Sequence, residues 1–140
     1  MSDQFEPVII CFLCNWCSYR ASDQAGTTRL EYAPNIHSVR VMCSSRVEPA
    51  MVLKALVSGA DGVLVTGCHP GECHYDTGNL YTRRRVMMLK TLLETIGMEP
   101  ARLRLEWVSA AEGSKFAEVV DEYCAQVKRL GPSPFGDTVK

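Results

Sequence analysis

Four short apolar runs, each followed by a stretch of helical character, set the strongest limit on what this chain can become. The first, VIICFLC (Val8–Cys14), is rich in β-branched residues and lacks polar alternation, the pattern of a strand buried on both faces of a parallel sheet. A weaker helical segment follows around Tyr19–Leu30, interrupted by Ala25-Gly26-Thr27-Thr28. Pro34 and Asn35 mark a turn before HSVRVMC (His37–Cys43), the second strand. Glu48-Pro49 opens a helix that runs through AMVLKALVS and stops at Gly59, with proline in the first turn, where its missing N–H costs nothing. DGVLVTGC (Asp61–Cys68) is the third strand. RRRVMMLKTLLETIG places Val86, Leu89, Leu93 and Ile96 on one helix face, with Gly97 as its stop. RLRLEWVS (Arg102–Ser109) is the fourth strand. Ser109 and Glu112 fit a capping box for a last helix whose inner face is Phe116, Val119, Tyr123, Val127 and Leu130. The alternation predicts an α/β fold: a single Rossmann-like (flavodoxin-like) domain of about four parallel strands with helices on both faces. Residues 1–130 read as this domain and 131–140 as a Pro/Gly-rich tail with no core of its own.

A chain of 140 residues is long enough to bury a core without disulfide staples. A net charge of −1 argues against nucleic acid or an anionic membrane as the main partner. The start, MSDQFEP, has neither a basic nor an apolar signal region, and the longest apolar run is too short for membrane insertion. A cytoplasmic location is expected. Seven cysteines are then unusual, and their odd number argues against a fully paired disulfide framework.

Their placement is informative. Open parallel sheets bind ligands beyond the carboxyl ends of their strands. Cys14 and Cys17 follow the first strand, Cys43 ends the second, and Cys68 and Cys73 follow the third. Five thiols from three stretches are thus expected at one sheet edge. If the first strand lies between the second and third, the three loops are neighbours. The spacings are C-x2-C in CNWC and C-x4-C in CHPGEC, with Cys43 alone. Four thiolates can hold zinc or an iron–sulfur cluster. The unequal spacing and the fifth thiol favour iron–sulfur, with Gly67 and Gly71 leaving backbone N–H groups free to approach cluster sulfides. Zinc stays open. So does dithiol redox chemistry at CNWC, which lies between a strand and a helix as in thioredoxin-like proteins.

The blocks CNWCSY, RVMCSSRVEP, GADGVLVTGCHPGECHYDTGN, RRRVMMLKTLLETIG and LEWVSAAEG resemble, in order, the delta subunit of the methyl-viologen-reducing hydrogenase of methanogens. The resemblance spans roughly Val8 to Leu130. It implies a [2Fe–2S] protein that relays electrons from a hydrogenase small subunit or a formate dehydrogenase to the flavin-containing A subunit of heterodisulfide reductase. It places the motif cysteines on Cys14, Cys17, Cys43, Cys68 and Cys73, one more than a [2Fe–2S] cluster needs. Two departures are local: CSSR lacks the family's glycine after the first serine, and YRASDQAG is more polar than usual.

Other features have simpler readings. Cys11 and Cys124 read as core filler. His69 and His74 read as outer donors or surface groups, because thiols are plentiful. Trp16 either shields the thiols or caps the core. Arg83-Arg84-Arg85 would oppose the dipole at a helix start, which leans towards contact with an acidic partner. Trp107 closes the fourth strand near the same edge. No phosphate loop, nucleophile elbow or zinc-protease motif is present, so substrate chemistry is expected elsewhere.

Overall fold

A computed structural model describes residues 5–135. The strands are β1 (Ile9–Cys14), β2 (Ile36–Val41), β3 (Gly62–Gly67) and β4 (Leu103–Trp107). The helices are α1 (Ser18–Thr27), α2 (Pro49–Val57), α3 (Gly78–Thr95) and α4 (Gly113–Leu130). All strand pairs are parallel, in the order β2-β1-β3-β4. The chain therefore turns outward in opposite directions after β1 and β3, and a crevice opens between their carboxyl ends.

Each face of the sheet is covered by two helices. Ile9, Cys11, Leu13 and Leu64 point to one face and pack with Ala21 and Ala25 of α1 and Phe116, Val120 and Tyr123 of α4. Phe12, Val63 and Val65 point to the other and pack with Val52 and Leu56 of α2 and Val86, Leu89 and Leu93 of α3. The alternation along β1 thus serves two cores, which is why the run shows no polar period. Gly62 lets α4 close on the sheet, because a Cβ there would lie 2.8 Å from the Tyr123 hydroxyl. That hydroxyl donates to the Val63 carbonyl at 3.2 Å.

Several boundaries differ from the sequence reading. β2 stops at Val41, because Cys43 and Ser44 turn into a 3₁₀ segment closed by the Arg46 N–H on the Cys43 carbonyl. α3 starts at Gly78, so the three arginines lie in its second turn and do not crowd the helix N-terminus. The capping box is only half made. The Glu112 carboxylate accepts the Ser109 N–H at 2.8 Å, but this closes a turn and α4 begins after it, at Gly113. Ile96 is 50% exposed, because it ends the helix and rotates away from the buried stripe. Gly97 follows with φ +87°, as a helix-terminating glycine requires.

The amino ends of the strands are tied together by Arg102, which is 1% exposed. Its guanidinium donates to the carbonyls of Asp61 (2.9 Å), Gly131 (3.0 Å) and Pro132 (3.1 Å), and to the Glu99 carboxylate (2.6 Å). Asp61 accepts the N–H groups of Val8 (2.8 Å) and Ser133 (2.9 Å). The first part of the tail is therefore held against the body of the domain. Ser133 is buried and Phe135 packs against the α2–α3 core. Residues 1–4 and 136–140 of the segments read above lie outside the described residues. Among the described residues no helix is long and apolar enough to cross a membrane.

Candidate metal centre

β1 ends at Cys14, and the chain turns so that Cys17 stands at the N-cap of α1. Ser18 fixes this turn by accepting the Cys14 N–H at 2.8 Å. The loop after β2 supplies Cys43, and the loop after β3 supplies Cys68 and Cys73. Because β1 is central, the three loops meet. The five cysteines form one contiguous buried cluster, with Trp16 packed against it. All are free thiols. Cys14 Sγ lies 3.8 Å from Cys68 Sγ, across the β1/β3 crevice. Cys43 Sγ lies 3.9 Å from Cys73 Sγ. The sulfurs of Cys14, Cys17 and Cys68 are all within 4.8 Å of one another. Cys11 and Cys124 belong instead to the α1–α4 core. Burial pushes the Cys11 thiol up to about 12, which makes it inert.

The thiols share charge unequally. Hydrogen bonds from Cys17 and Cys68 hold the Cys14 thiol far below its ordinary range, helped by the N–H groups of Trp16 and Cys17. Cys17, which donates to Cys14, is driven strongly upward. Cys68 is pushed up to about 11, first by its hydrogen bond to Cys14. Burial raises Cys43, against the hydroxyl and N–H of Ser45, which donate to its sulfur. Backbone and side-chain donors thus favour thiolate at Cys14 and work against burial at Cys43, while Cys17 and Cys68 are held as thiols.

The strongest steric mark of the site is a glycine that the sequence did not single out. A Cβ on Gly78, the first residue of α3, would lie 2.5 Å from Cys43 Sγ and 3.2 Å from Cys73 Sγ. Only the GECHYDTGN context carried that signal. The next residue, Asn79, is 1% exposed and donates to the carbonyls of Cys68 and His69, both at 2.9 Å. It pins the Cys68 loop to α3. Gly67 and Gly71 also shape the third loop. The N–H donors to the sulfurs belong to Trp16, Cys17, Ser45 and His74. Gly67 instead makes room for the Ser44 hydroxyl, 2.8 Å from where its Cβ would be, and Gly71 takes φ +88° in the turn.

Neither histidine joins the sulfur group. His69 Nε2 pairs with Glu112 Oε1 at 2.5 Å, bracing the Cys68 loop against the turn before α4. His74 stacks on Trp16, with ring centroids 3.7 Å apart and planes 12° apart. The Trp16 Nε1–H donates to the Tyr75 hydroxyl at 3.2 Å. Trp16 is therefore half of an aromatic clasp between the β1 and β3 loops. Beside it, a groove of about 420 Å³ opens on Cys17 and Cys68 and is also lined by Ala110 and Ala111. Trp107 lies against Gly67, and its carbonyl accepts from Lys115. The arginine triplet divides: Arg85 donates to the Ser45 carbonyl, Arg84 lies over the Tyr81 ring, and Arg83 faces the β4 edge.

Comparison with known proteins fits this geometry. The chain is 53% identical over 135 residues to the D-type iron-sulfur subunit of the F420-non-reducing hydrogenase of Archaeoglobus profundus, covering 96% of this chain and 98% of that one. It is 49% identical over 132 residues to the corresponding D-type iron-sulfur subunit of the vhc F420-non-reducing hydrogenase of Methanococcus voltae, covering 94% and 92%. It is also 48% identical over 126 residues to part of the A subunit of the Ferredoxin/F(420)H(2)-dependent CoB-CoM heterodisulfide reductase of Methanosarcina acetivorans, covering 90% of this chain and 16% of that much longer one. The family model for the methyl-viologen-reducing hydrogenase delta subunit (FlpD) matches residues 9–131, and the chain belongs to that family.

Proposed function

We propose that this chain is an electron-relay subunit carrying one [2Fe–2S] cluster. The observation that carries the reading is the pairing of buried thiols, 3.8 Å for Cys14–Cys68 and 3.9 Å for Cys43–Cys73. Two thiolates on one tetrahedral metal with bonds of about 2.3 Å sit about 3.8 Å apart. Two such pairs suit two metal atoms better than one. Cys14 and Cys68 would hold one iron and Cys43 and Cys73 the other, leaving Cys17 as the fifth thiol. The fit extends beyond the ligands. Gly78 leaves the space a side chain would fill, and Ser45, Trp16 and His74 direct donors at the sulfurs. Bound there, the cluster would supply one-electron transfer. The five cysteines are buried, and the groove beside Cys17 and Cys68 would give a partner's redox centre its approach.

The relatives support a link between the two kinds of complex. Two are hydrogenase iron-sulfur subunits, and in the third a homologous stretch is part of the A subunit of a heterodisulfide reductase. A stretch that occurs both free and joined to such a protein fits a chain that docks on one. The acceptor in this reading is the A subunit of heterodisulfide reductase. The donor is a hydrogenase small subunit or a formate dehydrogenase. A dithiol oxidoreductase at CNWC fits less well, because Cys14 and Cys17 are 1% and 4% exposed and thiol exchange needs access. The test is anaerobic purification with iron and sulfide analysis and EPR before and after dithionite. The expected result is two irons and two sulfides per chain, silent when oxidised and S = ½ when reduced, as a [2Fe–2S] cluster requires. Zinc without sulfide, or a metal-free chain with a fast-titrating thiol pair, would overturn it.

A further inference from the structure

The outer edge of β4 has no neighbouring strand among the described residues. α3 and α4 wall that edge and leave a cleft of about 740 Å³. Val86, Leu103 and Leu105 form an apolar floor, and Met87 at the rim is 63% exposed. The charge in the cleft is one-sided. Arg83, Lys90, Arg104 and Arg129 line it, against Glu122 alone. Arg104 is already engaged with Glu106 at 2.6 Å and Glu122 at 3.3 Å. Among the described residues, Arg83, Lys90 and Arg129 have no carboxylate within ion-pair distance.

An open edge is a template for one more strand, and natural sheets blunt it or cover it. We propose that the β4 edge is the docking site for an extended acidic segment of a partner protein, which adds to the sheet as a fifth strand between α3 and α4. Backbone hydrogen bonds supply the common part of such binding, and alternate side chains read the two walls. Positions facing α3 meet Val86, Met87 and Arg83. Positions facing α4 meet Arg104 and Arg129. Charge also argues against a second copy of this chain as the occupant. The other open edge, β2, carries His37 and Arg40 and no acid, and pairing β4 with its own copy would bring two basic clefts together. The inference rests on the reading of this chain as one component of a larger assembly, but it does not depend on the cluster.

The full chain, as purified, would be titrated with a blocked, fluorescent octapeptide of alternating glutamate and valine, and with its lysine–valine counterpart, while backbone amide exchange is followed. The glutamate peptide is expected to bind, to slow exchange at Leu103–Trp107, and to bind about tenfold more weakly to the Arg83→Glu/Arg129→Glu variant. Both arginines are exposed, so the variant should keep its unfolding midpoint and metal content. The lysine peptide should not bind. No binding of the glutamate peptide, binding that leaves β4 exchange unchanged, or equal binding to the variant would overturn the proposal. So would concentration-dependent protection of β4 in the chain alone, which would assign the edge to a second copy. A preparation without iron would sink the cluster and still leave the peptide result readable.

Discussion

The two ends of the sheet treat polar atoms in opposite ways. Where the strands begin, Arg102 and Asp61 are buried at 1% and 6% exposure, and their hydrogen bonds gather Val8, Glu99 and the backbone of residues 130–133. That end joins the amino-terminal segment, β3 and the carboxyl-terminal segment into one block. Where the strands finish, five thiols are buried together as free groups. A thiol is a weak hydrogen-bonding group, so such a cluster adds little to the fold beyond apolar packing. Cys11 shows what cysteine does here when it only packs: it sits in a hydrophobic core with a pKa raised by burial. One end of the molecule is thus built for stability, and the other carries bonding capacity that the fold itself does not use.

Substitutions should separate the two ends. Cys68→Ser removes a thiol from the closest pair and is expected to abolish the S = ½ signal while the metal-free chain still folds, as seen by circular dichroism. The same change at Cys17 should leave the signal in place, since that thiol is outside the two pairs; loss of the signal would show that the trio, and not the Cys14–Cys68 pair, holds the first iron. At the other end, Arg102→Met leaves several buried carbonyls unsatisfied. It should lower stability in urea by about 3–5 kcal/mol, with the iron content of the folded fraction unchanged.

Gly78→Ala is a smaller change that bears more on iron binding than on the fold. A Cβ helps a helix by up to about 1 kcal/mol. Here it would also press on Cys43 Sγ. That overlap offsets the gain in the metal-free chain, whose unfolding temperature should not rise, and iron retention during gel filtration should fall. The smallest effect is expected at the brace beside the thiol end. The Ser109 N–H, and after it His69, hold the Glu112 carboxyl down at about 2, against an ordinary 4.5. A depressed carboxyl contributes its stability above the unfolded value and loses it as pH falls towards the folded one. The metal-free chain should thus lose part of its thermal stability between pH 4.5 and about 2, and Glu112→Gln should flatten that slope.

Much of the architecture was readable from periodicity. The continuous apolar runs marked strands buried on both faces, and the stripes of α3 and α4 marked their inner sides except at Ile96 and at Leu130, which is only half-buried. The helix starts were harder to read. α3 begins five residues before the first arginine, because Gly78 and Asn79 are poor helix formers that tertiary contacts to Cys43 and Cys68 hold in place. The carboxyl-terminal segment looked detached because its ties are long-range. Its partners, Asp61 and Arg102, lie about 72 and 30 residues away, and no local pattern announces them.

Local sequence was enough to put five cysteines at strand ends, because strand and turn propensities act over a few residues and parallel strands send their carboxyl ends to one side. Which thiol faces which needed the fold. Cys14 meets Cys68 across 54 residues and Cys43 meets Cys73 across 30, and both pairings depend on β1 lying between β2 and β3. That order is set by which hydrophobic faces the crossover helices can cover together, a property of the packed whole that no single segment carries.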